Sequence, residues 1–147
     1  MPNTVRLHRV LTTGPDKLYR AFIEPDAFAK WLPPDGFACT VHEIDARVGG
    51  SYRASFRNFT TGASHSFGGD YLELVPAERL VYSGRFEMPG LPGEMKTAVT
   101  LKAVSCGTEL HIVQEGIPDM IPLEGCYLGW QQSLANLARL VEPDIPQ

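Results

Sequence analysis

Four kinds of side chain in this sequence have the chemistry to hold a ligand or move a proton: histidines, cysteines, isolated carboxylates and a set of tyrosines. The four histidines are His8, His42, His65 and His111. No two share a strand face at i, i+2 or a helix face at i, i+4, so their spacing predicts no metal ligands. His111 alternates with Leu110 and Ile112 and belongs on the face opposite them. The cysteines, Cys39, Cys106 and Cys126, are odd in number and far apart. They form no Cys-x-x-Cys pair and read as free thiols. No Gly-x-Ser-x-Gly elbow or phosphate-binding glycine loop occurs, and no cofactor is expected.

Asp70 is the one weak candidate for a catalytic acid or base. If Glu73 faces water, then Asp70, Leu72 and Leu74 point inward, and a carboxylate in an apolar chamber has its charged form disfavoured. The alternative is a phase shift at Gly68-Gly69, which puts Asp70 outside and Tyr71 inward. The rarity of unpaired buried acids favours that alternative. Tyr52 and Tyr82 carry the opposite chemistry. A buried phenol offers an apolar ring and a hydroxyl that needs a partner. Water or a ligand would be the simplest partner for both.

These residues are positioned by short elements punctuated by proline and glycine. Thr4 to Leu11 alternates as a strand. Gly14-Pro15-Asp16 opens a helix with proline at its first position, and Glu24-Pro25 stops it. A second short helix ends at Trp31, before Pro33-Pro34. Strands are predicted over 37–45, 50–58, 65–75, 79–87, 95–104 and 108–115, separated by turn residues. Short links make sequence neighbours antiparallel partners. Tyr52, Ala54 and Phe56 share a face; so do Leu80, Tyr82, Gly84 and Phe86, and likewise Thr97, Val99 and Leu101. Leu123, Tyr127, Trp130, Leu134, Leu137 and Val141 form an apolar stripe on a final helix that Pro143 ends.

The predicted fold is α+β: a curved antiparallel sheet of six or seven strands around a long C-terminal helix, with two short helices after the first strand. This helix-grip arrangement leaves a gap between sheet and helix in which a ligand can sit. The inward faces predict a chamber lined by Tyr52, Phe56, Tyr82, Phe86, Val99, Trp130 and Leu134. The loops Met88–Met95 and Gly116–Gly125, each with apolar residues among prolines, are predicted to form its mouth, methionine suiting a variable ligand.

The 147 residues carry a net charge of −4, which gives no electrostatic footprint for nucleic acid. The nine arginines are dispersed rather than clustered, so an anionic membrane surface is not expected as a partner. No apolar run approaches the roughly 18 residues of a span, and the start lacks a signal-peptide pattern; cytoplasmic residence is the expectation.

The order of these signals resembles the START-like (SRPBCC) superfamily. Within it the chain is similar to the bacterial homologues of the C-terminal domain of Aha-type activators of the heat-shock-protein ATPase. The residues carrying the resemblance are Pro15, Pro25-Asp26, Trp31, Gly49-Gly50-Ser51-Tyr52, and Gly69-Asp70-Tyr71-Leu72-Glu73-Leu74-Val75-Pro76 leading to Arg79-Leu80-Val81-Tyr82. Gly107-Thr108-Glu109-Leu110, Glu115-Gly116 and Gly129-Trp130-Gln131-Gln132-Ser133-Leu134 complete them. The resemblance implies one START-like domain over residues 1–147. Superfamily members include lipid and hormone binders and polyketide cyclases. The implied activity is therefore binding of a small hydrophobic or amphipathic molecule. A cyclase-like enzyme using the same cavity and a co-chaperone-like interaction module are the alternatives. The eukaryotic activators add an N-terminal domain for which this length leaves no room.

Overall fold

A computed structural model describes residues 3–87 and 93–146. The elements are β1 (Asn3–Leu11), α1 (Pro15–Ile23), α2 (Pro25–Trp31), β2 (Phe37–Ile44), β3 (Ser51–Asn58), β4 (Ser64–Val75), β5 (Arg79–Phe86), β6 (Met95–Val104), β7 (Gly107–Ile117) and α3 (Leu123–Val141). The seven strands form one antiparallel sheet in the order β1-β7-β6-β5-β4-β3-β2. Six strands follow one another as a meander, the outcome short turns favour. The long excursion through α1 and α2 lets β1 return beside β7 instead of beside β2.

Proline starts both short helices at their first turn, where its missing N–H costs no helical bond. Trp31 ends α2 fully buried, stacked edge-on against Phe22 and Phe28, and its indole N–H donates to the Ala21 carbonyl at 2.7 Å. That single residue locks α1 to α2. The α2 helix in turn packs on β2 and α3.

The apolar stripe of α3 divides into two halves. Leu134, Leu137 and Val141 are buried against the sheet and α1, whereas Leu123, Tyr127 and Trp130 are only half-buried. The off-stripe polar residues have a structural task. Ser133 Oγ donates to the Leu32 carbonyl at 2.6 Å, Asn136 Nδ2 donates to the Pro33 carbonyl, and Gln132 Oε1 accepts from the Asp35 N–H. Residues 32–35, with two prolines, have no ladder to satisfy their backbone, and α3 supplies the partners.

Asp70 is exposed and Tyr71 is 4% exposed. The candidate acid therefore points away from the interior. The phase break is not at Gly68-Gly69: alternation holds through Tyr71, which pairs with Tyr82, and the register shifts between Tyr71 and Glu73. The outward strand faces are not uniformly wet, since Val81 and Ser83 are buried as well.

Candidate functional site

The first half of α3 and the sheet do not close on each other. Between them lies a cavity of about 250 Å³. Each bordering element contributes for a local reason. On α3, Gly125, Cys126, Gly129, Trp130 and Ser133 fall on one helix face, and a β-carbon placed on Gly129 would meet nothing within 4 Å. The two glycines thin the helix on the face that borders the cavity. From β3, β4 and β5 come Tyr52, Phe56, Phe67, Tyr82 and Phe86; Phe28, Leu32 and Pro34 close the side toward α2.

Five of the seven predicted residues border this space: Tyr52, Phe56, Tyr82, Phe86 and Trp130. Val99 and Leu134 do not. They are 0% and 2% exposed and belong to the packed core beyond the cavity. Their inward assignment is correct. Alternation fixes which face a residue occupies, however, and not where along that face the packing opens. Trp130 is half-buried, because its ring edges the cavity instead of filling the core.

One wall is polar, and only part of it was legible in the sequence. Tyr82, Thr97 and Gln114 sit in a row on β5, β6 and β7, since Tyr82 pairs with Thr97 and Thr97 pairs with Gln114. The Trp130 indole N–H donates to Gln114 Oε1 at 3.0 Å. An indole can only donate, so the amide oxygen must face it and the amide nitrogen must face the other way. Gln114 Nε2 accordingly donates to Thr97 Oγ1 at 3.1 Å, and Thr97 hydrogen-bonds Tyr82. Gln114 continues the inward phase of Leu110 and Ile112. A polar residue in an apolar register was the signal that could have found it.

The Tyr52 hydroxyl needs neither water nor ligand, contrary to expectation. Tyr52 donates to the Ser83 carbonyl at 2.9 Å, and Gly84 leaves room for that reach: a β-carbon there would lie 3.0 Å from the Tyr52 hydroxyl. Among the described residues no buried side-chain nitrogen or oxygen lacks a partner. Burial pushes the Tyr52 and Tyr82 phenols well above their ordinary range, so both stay protonated at neutral pH and serve as neutral hydrogen-bonding groups. Burial likewise raises the Cys126 thiol, with Glu124 adding to the effect.

Beside the cavity-lining Phe56 and Phe86, His65 sits among these two rings and Phe37, with ring centroids 5.8–6.4 Å away. Burial lowers its pKa. Arg85, exposed on β5, also borders the cavity and forms no ion pair among the described residues. Of the two predicted mouth loops, Met88 and Leu91 lie outside the described residues. Met95 borders the cavity. In the other loop Met120 is exposed, Ile121 packs on the core and Ile117 is buried in β7. No helix among the described residues is long and apolar enough to cross a membrane.

Residues 12–142 match the family model described as Activator of Hsp90 ATPase homolog 1-like protein. No curated protein matches. Among solved structures, protein CV1439 from Chromobacterium violaceum is 64% identical, with a TM-score of 0.96 over 98% of this chain and 100% of that one. Mll3558 from Rhizobium loti is 26% identical, with a TM-score of 0.78 over 95% and 96%. NE0264 from Nitrosomonas europaea, 22% identical with a TM-score of 0.80 over 93% and 92%, is similar in fold.

Proposed function

Because the chain belongs to the family of Activator of Hsp90 ATPase homolog 1-like proteins, a helix-grip family of the START-like type, we propose that it binds a small amphipathic molecule between α3 and the sheet. The observation that carries this reading is the form of the cavity. Its walls are mainly aromatic and aliphatic, with one polar row and with Arg85 and Ser133 at the border, which is the usual composition of a small-molecule site. Its volume exceeds the roughly 150 Å³ of an engineered apolar cavity that admits benzene.

The polar row favours one kind of head group. Gln114 uses one amide N–H and one lone pair within the protein. A second N–H and a second lone pair remain on the same amide. A hydroxyl, amide or carboxylic acid can engage both, while the apolar body lies against Phe56, Phe67 and Phe86. Burial of that body supplies affinity at roughly 25 cal/mol per Å² of apolar surface, and the amide supplies orientation. Asp70, the carboxylate on which the cyclase reading depended, is directed outward, and the two tyrosines are held neutral.

The test is titration with a hydrophobic fluorescent probe of the naphthalene sulfonate type. One site per chain is expected, with a change in Trp130 emission. Gly129→Phe should fill the cavity from the helix side and weaken probe binding at least tenfold while the far-ultraviolet spectrum is unchanged. Probe binding that is indifferent to Gly129→Phe would place the site elsewhere and remove the support for this reading.

A further inference from the structure

The outer face of the sheet, across the strands from the cavity, carries a second cluster. His8 on β1 and His111 on β7 are direct partners in the antiparallel ladder. Glu109 lies two residues before His111, on the same face of β7. Spacing in the sequence separates His8 from the other two by a hundred residues, which is why no metal-ligand pattern was legible there. The return of β1 beside β7 joins them. His8 Nε2 is 3.1 Å from Glu109 Oε2, and His111 Nε2 is 3.4 Å from Glu109 Oε1. The two imidazoles are 4.6 Å apart between centroids, and one ligand atom from each of the three residues lies within 4.8 Å of the others.

We propose that His8, Glu109 and His111 form a binding site for a divalent transition-metal ion of the zinc class. Around zinc, nitrogen and oxygen ligands at about 2.0–2.2 Å stand about 3.3–3.5 Å from one another in tetrahedral geometry. The widest of the present separations, within 4.8 Å, would contract by at most about 1.5 Å and the 3.1 Å His8–Glu109 contact would open slightly to meet that requirement, and all three side chains are at least partly exposed. Both imidazoles already direct Nε2 toward the shared carboxylate, so the same atoms that contact Glu109 would face the ion. Two imidazoles and one carboxylate select borderline transition metals over magnesium or calcium, which prefer all-oxygen shells. Three protein ligands leave a fourth position to water. The ladder fixes the backbone of all three residues, so the site is preorganised on rigid strands. Its structural effect would be to clip the edge strand β1 to β7.

The experiment is calorimetric titration of the full, tag-free chain with zinc chloride after treatment with chelator. It is run in a Cys106→Ser background, which removes the exposed thiol as a competing ligand. One zinc per chain is expected. His8→Ala and His111→Ala should each weaken binding at least tenfold, and Glu109→Gln should weaken it as well. Because His8 and His111 are exposed, these variants should retain the parent circular dichroism; His8→Asn and His111→Asn repeat the test should either alanine variant lose it. Zinc should also raise the melting temperature of the background protein and not that of His111→Ala, by mass action on the folded state. Absence of stoichiometric uptake at submillimolar zinc would overturn the proposal. So would an affinity unchanged by both histidine substitutions. The cavity is not involved, so failure here leaves the proposed ligand site unaffected.

Discussion

Placing a partly buried imidazole among three phenylalanines makes His65 a pH-sensitive point of the sheet. Its folded-state pKa lies below the ordinary value of about 6.5 because burial opposes the charged ring. As pH falls, the unfolded chain therefore takes up this proton first. The contribution of neutral His65 is complete above about pH 6.5 and is lost as pH falls from there through the lower folded-state pKa. Denaturant unfolding at about pH 7.5 and 5.5 should show a larger loss in the parent than in His65→Gln; an equal loss in the two would contradict the assignment. The cysteines offer a second test at this scale. Burial pushes the Cys39 thiol up to about 11, and Cys126 is also raised, whereas Cys106 is exposed. Since the thiolate is the reactive species, a maleimide at mildly alkaline pH should modify Cys106 first. Peptide mass mapping should find Cys39 and Cys126 slow, with Cys126 slower still when the cavity is occupied.

The division of α3 into a packed half and a cavity-facing half gives an element-scale prediction. Leu137 is fully buried, and Leu137→Ala should cost about 2–5 kcal/mol. Trp130→Ala, at the edge of an existing void, should cost less, because its ring has fewer neighbours to lose. Gly129 reverses the sign. It is helical, its added β-carbon meets open space, and alanine has the better helix propensity by about 0.8–1 kcal/mol. Gly129→Ala should therefore stabilise the fold by up to about that amount in chemical denaturation, while leaving most of the cavity open. A destabilised Gly129→Ala would mean the space above the glycine is filled. Gly129 in the interior of α3, with Gly125 in its first turn, keeps the helix thin over the cavity, which connects the propensity cost to the ligand-binding reading.

At the scale of the whole molecule, an occupant of the cavity binds only the folded chain. At a hundredfold excess over its dissociation constant it should therefore raise the unfolding free energy by about 2.7 kcal/mol, readable as a rise in melting temperature that Gly129→Phe abolishes. The elements themselves were nearly all legible in the sequence. Alternation, proline and glycine punctuation and the 4-3-4-3-4 stripe located every strand and helix to within one or two residues at most ends. These are local signals, set by which side of a strand or helix must avoid water. The inward assignments of Tyr52, Phe56, Tyr82, Phe86 and Trp130 followed from them, and so did Val99 and Leu134, which face the right way but lie where the core is solid. Three features depended on long-range contacts. The Tyr52 hydroxyl finds its partner on β5, two strands from its own, and Tyr82 finds Thr97 on β6. The Trp130–Gln114–Thr97–Tyr82 row exists only because three strands hold their register and α3 crosses above them. The His8, Glu109 and His111 cluster exists only because β1 pairs with β7. The sequence by itself determined periodicity, and hence the elements and their buried faces. The tertiary structure decided register, the return of β1 beside β7 and the gap between α3 and the sheet, because those depend on contacts between residues as far apart as His8 and His111.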